Sequence, residues 1–208
     1  MADPSALSPL AGRSPSSRAD GAAGALPPGV GQGGVVMAER ALVGKLVLRG
    51  DADDAGFRDA VRGALGFDLP LAANTASGAE STTALWLGPN EWLVATAPGA
   101  ETAAAVSLKV ALSGRHASVT DVSDSRTVIR LSGANARDVL AKGCPIDLHP
   151  RVFGPGRVAQ SLVARAGVIL HQVDESPTFD LYVVASFAGY LWDWLVDAAA
   201  EFGVAAGR

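Results

Sequence analysis

From about residue 40 onward, apolar positions switch between a period of two and a period near 3.6, and the switches mark alternating strands and helices. Residues 41–48, Ala-Leu-Val-Gly-Lys-Leu-Val-Leu, read as a strand. A helix follows over about 53–65, because Phe57, Val61, Ala64 and Leu65 recur at helical spacing. Asp53 and Asp54 suit the positive end of its dipole, and Gly66 suits its termination. Segments 83–87 and 92–96 then form a hairpin around Gly88-Pro89-Asn90-Glu91, with Pro and Asn at the two central turn positions. A regular register across that turn sets Trp92 opposite Leu87 and Trp86 opposite Leu93. A helix near 101–112 and a strand near 117–122 complete this half.

The second half repeats the order. Residues 126–131 alternate as a strand, and 133–142 read as a short helix with Ser132 as N-cap and Gly143 just past its end. Segments 158–164 and 168–173 form a hairpin around Arg165-Ala166-Gly167, and 179–184 a further strand. The last helix is expected over 187–202 with Ser186 as cap. It places Phe187, Leu191, Trp194, Leu195, Ala198 and Phe202 on one stripe, with Asp193, Asp197 and Glu201 on a solvated line. The pattern predicts the α+β class: two ferredoxin-like strand–helix–hairpin–helix halves with mainly antiparallel sheets, as pseudo-repeats over about 40–122 and 123–203.

Composition separates residues 1–38 from this pattern. They are rich in Ala, Gly, Pro and Ser and end in Pro27-Pro28-Gly29-Val30-Gly31-Gln32-Gly33-Gly34. Such a segment buries too little apolar surface to offset its ordering entropy, so a largely disordered tail is expected, ordered only by a partner. The globular domain then spans 39–208. Apolar residues make up 49% of the chain and charged residues only 18%. That is less charge than a monomer usually exposes, and it points to surface covered by a partner. A net charge of −4 leaves no electrostatic footprint for nucleic acid or for an anionic membrane. With no apolar run long enough to span a bilayer and no signal-type apolar core, a cytoplasmic location is expected. Cys144 is the single cysteine, which excludes an internal disulfide and a thiolate metal cage.

Candidate chemistry is sparse. Gly31-Gln32-Gly33-Gly34 follows no strand, so it is not read as a dinucleotide loop. His116, His149 and His171 lack metal-ligand spacing. Cys144 is either a nucleophile activated by Lys142 and a nearby histidine, or a small half-buried residue at a helix end. The second reading carries more weight, since free cysteines are mostly buried and inert. Asp121, Asp124, Arg126 and Arg130 are either an amine- or pterin-binding cluster or a turn cap with salt bridges, and the structural reading again wins. No catalytic, cofactor-binding or metal residue is assigned. Trp86 and Trp92 flank one turn, and Trp192 and Trp194 fall on different faces of the last helix. One of each pair can fill the core, and all four tryptophans in the core is the equally weighted alternative. Any exposed member of the set Trp86, Trp92, Phe153, Trp192 and Trp194 is an interface candidate.

The blocks Ser8-Pro9-Leu10-Ala11, Leu46-Val47-Leu48-Arg49-Gly50-Asp51 and Leu85-Trp86-Leu87-Gly88-Pro89-Asn90-Glu91-Trp92-Leu93 resemble motifs of sarcosine oxidase gamma subunits. So do Asp121-Val122-Ser123-Asp124-Ser125-Arg126, Lys142-Gly143-Cys144-Pro145-Ile146-Asp147-Leu148-His149-Pro150-Arg151, Phe153-Gly154-Pro155-Gly156-Arg157 and Trp192-Asp193-Trp194-Leu195. Their order and spacing run consistently over about 40–203. The resemblance implies a fold like the folate domain of aminomethyltransferases and a non-catalytic place in a complex of four different subunits. That complex oxidatively demethylates sarcosine to glycine, forming hydrogen peroxide and methylenetetrahydrofolate. The resemblance also implies alpha, beta and delta subunits as partners, with FAD, FMN, NAD, tetrahydrofolate and zinc on those chains and no cofactor on this one. The alternative is a free-standing folate-binding, aminomethyltransferase-like protein in which Asp121 or Asp124 holds the substrate amine.

Overall fold

Two sheets carry the fold, one in each of the two units into which the chain divides. The computed structural model describes residues 8–10, 34–79 and 81–206. In chain order the elements are β1 (Val35–Glu39), β2 (Gly44–Arg49), α1 (Ala55–Leu65), β3 (Ala76–Ala79), β4 (Thr82–Gly88), β5 (Glu91–Thr96), α2 (Glu101–Ala111) and β6 (Ser118–Asp121). They continue as β7 (Arg126–Ser132), α3 (Ala136–Ala141), β8 (Val158–Val163), β9 (Ala166–Asp174), β10 (Thr178–Val184), α4 (Ala185–Ala199) and β11 (Val204–Ala206). The fold is α+β, with two sheets of mainly antiparallel strands.

The unit of residues 42–124 and 156–158 contains the sheet β3-β4-β5-β2-β6. Its helix α1 begins at Asp54, whose carboxylate accepts the N–H of Gly56 at 2.8 Å. It ends at Gly66, whose φ of 82° lets the chain turn away while its N–H closes the last turn on Arg62. Phe57 and Val61, four residues apart, are the side chains α1 buries. They meet Leu46, Leu48, Ala84, Trp92, Val94 and Leu108 in the core of this unit. The β4–β5 hairpin departs from the regular register. Gly88 pairs with Glu91, but the next pair is Trp86 with Trp92, followed by Leu85 with Leu93. Leu87 is therefore an extra residue, a bulge that puts the two tryptophans directly opposite one another.

The other unit holds residues 1–41, 125–155 and 159–208, with the sheet β11-β1-β7-β10-β9-β8. Here the expected tail is corrected. Val35–Glu39 is a strand, antiparallel to β7 and parallel to β11, with Val35 and Met37 buried at alternate positions. Its polar backbone is paired in this chain's own ladders. Leu10 too is fully buried in this chain's core, and Ser8 donates to the carboxylate of Glu39. Most of the expected tail, including Gly31-Gln32-Gly33, lies outside the described residues.

Three local expectations also change. Helix α3 is shorter than 133–142: Ser132 closes β7, and Asn135 stands at the N-cap position without a side-chain cap bond. The β8–β9 turn uses Ala164 and Arg165, with Ala164 at a φ of 52°, so Ala166 and Gly167 already belong to the strand. Helix α4 starts at Ala185 with Val184, not Ser186, at the cap position, and passes into a 3-10 turn over Ala200–Phe202. Its buried stripe is Ala188, Leu191, Trp192, Leu195, Ala198 and Ala199. The helix is thus rotated from the expected face, because Trp192 enters the core where Trp194 was expected. Asp193, Asp197 and Glu201 are exposed.

Candidate functional site

The polar groups that the fold buries have definite structural partners. In the sheet containing β7 and β10, Asp180 stands directly across from Arg130. Its carboxylate accepts from Arg130 Nε at 2.7 Å and Nη2 at 2.8 Å, and from Arg40 Nη1 at 2.6 Å. The Asp180 side chain is 1% exposed, whereas the two arginines keep 34% and 37%. The aspartate is therefore an internal counter-ion for two half-exposed guanidiniums. His171 pairs with Asp180 across β9 and is buried beside this group. Burial pushes its pKa down to about 4; Arg130 and Arg40 add to the shift and Asp180 opposes it. Its imidazole is neutral at pH 7.

Arg137 on α3 places its guanidinium 5.2 Å from the ring centre of Phe179 and donates to Gln172 Oε1 at 2.9 Å and to the Phe153 carbonyl at 3.1 Å. It ties the loop before β8 to the sheet. In the other unit, Lys45 is buried on β2, and its ammonium donates to the Val43 carbonyl. Burial lowers the Lys45 pKa against the opposing pull of Asp124, Asp121 and Glu101. Sequence reading missed Lys45 and Asp180 as buried groups. Both stand on the strand face opposite the core of their unit, alternating with Leu46 and Leu48 in β2 and with Phe179 and Leu181 in β10, where an apolar run flanking one charged residue was the available signal.

The cluster of Asp121, Asp124, Arg126 and Arg130 is divided between the two units. Asp121 Oδ1 accepts the Ser123 N–H at 2.9 Å and the Ser123 hydroxyl at 2.6 Å, and Ser123 Oγ in turn accepts the Lys45 N–H at 2.9 Å. Asp121 therefore shapes a turn, and Asp124 is exposed. Cys144 is buried, with Sγ 3.9 Å from Ser161 Oγ. Lys142, its expected activator, instead donates to the Ala198 carbonyl, pairs with Glu201 and sits over the Phe202 ring at 4.9 Å. His149 Nδ1 accepts the Arg151 N–H in an exposed loop, and His116 is exposed in the other unit. Among the described residues no group of three His, Cys, Asp or Glu side chains is arranged to hold a metal ion.

The aromatic interface candidates sort by burial. Trp92 packs on Phe57 with ring centres 5.8 Å apart and donates from Nε1 to the Pro70 carbonyl at 2.8 Å. Phe153 packs on Phe179 at 6.5 Å, and Trp192 lies in the same core. These three are core residues and are withdrawn as surface candidates. Trp86 and Trp194 are half-buried and pack against the cores of their units. The apolar side chains on the surface are others: Phe187 at 47% and Tyr190 at 41% exposure, with Val184, Leu162 and Val152 in the same unit. Leu71, Val106 and Val110 are exposed in the other.

Residues 49–201 match the family model described as sarcosine oxidase, gamma subunit family. The sarcosine oxidase subunit gamma of an Arthrobacter species is 38% identical over 187 residues, which is 89% of this chain and 90% of that protein. The chain belongs to the sarcosine oxidase gamma subunit family. A further gamma subunit, from Corynebacterium sp. (strain P-1), has the same identity and coverage. Among solved structures, a chain of the heterotetrameric sarcosine oxidase from Corynebacterium sp. U-96, in complex with pyrrole 2-carboxylate, superposes with a TM-score of 0.79 at 35% identity, covering 94% of this chain and 98% of that one. The glycine cleavage system aminomethyltransferase T from Bartonella henselae shares the fold, at a TM-score of 0.64 and 13% identity over 47% of its length. No helix among the described residues is long and apolar enough to cross a membrane.

Proposed function

We propose that this chain is a non-catalytic assembly subunit of a heterotetrameric sarcosine oxidase. The complex oxidatively demethylates sarcosine to glycine, with formation of hydrogen peroxide and methylenetetrahydrofolate. In this reading alpha, beta and delta subunits carry FAD, FMN, NAD, tetrahydrofolate and zinc, the complex is cytoplasmic, and the gamma chain stabilises it. The supporting observation is the division of labour among side chains. Asp180 and Lys45 are engaged within their own units and Cys144 is buried, while aromatic side chains stand on the surface of α4. Groups held this way serve packing and charge balance, and exposed aromatic residues serve association.

The test is sarcosine-dependent peroxide production after co-expression of the four subunits, with this chain present and omitted, alongside size-exclusion chromatography. Co-elution, with lost activity or an unstable complex on omission, is expected. Separate elution with unchanged activity overturns the reading. Calorimetric titration of the full chain with tetrahydrofolate examines the folate-binding alternative: saturable heat lost on Asp121→Asn would favour it.

A further inference from the structure

At one end of the larger sheet, the first residue of β7 faces the last residue of β10: Arg126 pairs with Val184. Beside them lies a cavity of about 390 Å³, lined by Arg126, Gln160, Ser161, Ile169 and Val184. Gly167 also lines it, and a Cβ at that position would meet nothing within 4 Å, so the cavity has an open floor. Val184 carries the surface on to α4. Phe187 and Tyr190 follow it at intervals of three, along one side of the first helical turns, and their rings meet edge to face at 6.4 Å. The exposed Val184 in the cavity wall is thus followed along the chain by the exposed Phe187 and Tyr190.

The charge in this surface restricts what covers it. Arg40 and Arg130 share Asp180, but Arg126 pairs with no carboxylate among the described residues. A partner that seals the apolar surface also strips water from the Arg126 guanidinium. An uncompensated charge there opposes association, whereas a carboxylate beside the covering apolar group removes the penalty and adds a bidentate contact. The surface therefore selects an apolar side chain next to an acidic one. We propose that Arg126, Val184, Phe187 and Tyr190 form a docking site for a segment of another subunit of the complex, which seats an apolar side chain in the cavity and a carboxylate on Arg126. This rests on the assembly role argued above and gives it a surface.

The test uses the co-expressed complex, with Arg126→Glu, Phe187→Ser and Tyr190→Ser introduced singly into this chain and Val110→Ser on α2 as control. Half-assembly of Arg126→Glu and Phe187→Ser should require about tenfold more protein than the wild type, as expected of central interface residues, while Val110→Ser matches the wild type. Arg126→Lys should lie between Arg126→Glu and the wild type. Independently of folding defects, a photo-crosslinking phenylalanine analogue at position 187 should give a covalent adduct with another subunit, through a peptide containing Asp or Glu. Wild-type assembly by every variant, or no adduct at position 187 in an intact complex, overturns the docking site and leaves the assembly role standing. Failure of the wild-type chain to co-elute overturns both.

Discussion

Replacing Asp180 by Asn changes one charge in a side chain of nearly unchanged shape, so the loss it produces measures that charge. Three charge-assisted bonds, at 2.6, 2.7 and 2.8 Å, lose their anionic acceptor. The new amide also points an N–H₂ group toward guanidinium donors that cannot accept it. Removing one member of a fully buried ion pair costs roughly 3–5 kcal/mol. Here the arginines keep 34% and 37% exposure, so water recovers part of their unmet hydrogen bonding. The expected loss is therefore about 2–3 kcal/mol. For a chain of this size that lowers the thermal midpoint by about 4–12 °C. Differential scanning fluorimetry on the full chain, with the exposed Asp197→Asn as control, reads the effect. A midpoint for Asp180→Asn within about 1 °C of wild type, corresponding to well under 0.5 kcal/mol, would refute the account of Asp180 as the counter-ion that holds β1, β7 and β10 together.

Two further outcomes follow from the same geometry. His171 has a folded pKa near 4, below its ordinary 6.5, so the unfolded chain takes up the proton first as pH falls. Stability should decline from pH 6.5 down to about 4, by up to about 3 kcal/mol, and level off below; urea titrations across this range should show that slope reduced in His171→Gln. Two glycines should respond oppositely to alanine. Gly63 lies inside α1 with nothing within 4 Å of an added Cβ, so Gly63→Ala should stabilise by about 0.5–1 kcal/mol. At Gly143 a Cβ would come within 2.6 Å of the Trp194 ring and 2.9 Å of the Ala164 nitrogen, so Gly143→Ala should destabilise by about 1–3 kcal/mol. Denaturation midpoints of the two variants check both signs.

Periodicity and turn chemistry made the regular elements legible. Helix α1 was readable because its cap, its buried pair and its terminal glycine all lie within one short window. What escaped were features set by non-local packing. The Leu87 bulge sets Trp86 opposite Trp92, a register that the Pro-Asn turn does not encode. On α4, two overlapping apolar stripes exist in the sequence, and only tertiary contact decides that Trp192 enters the core while Phe187 stays outside. The surface candidates were chosen by residue type, which favoured tryptophan. The exposed side chains turned out to be a phenylalanine and a tyrosine on the helix face that the sequence stripe had assigned partly to the core.

The N-terminal strand shows why composition misled. In the smaller sheet the strands of the repeat stand in the order β4-β5-β2-β6, and the closing strand β6 pairs directly with β2. In the larger sheet the corresponding order is β9-β10-β7-β1-β11, with β1 inserted between β7 and the closing strand. That insertion reverses the outcome for β11, which pairs parallel to β1 through Val35–Val204, Val36–Ala205 and Met37–Ala206. A five-residue strand preceded by Gly33-Gly34 is too short to hold on its own, and its stability comes from the two ladders it completes. The second half of the chain is therefore not a self-contained repeat. Its sheet needs Val36 against Ser132 and Met37 against Leu131, and its core takes Leu10. The ladders of β1 join Val36 to Ser132 and Val35 to Val204, separations far longer than the β7–β10 pairing of Phe179 with Leu131, so they carry a loop-closure cost that local elements do not.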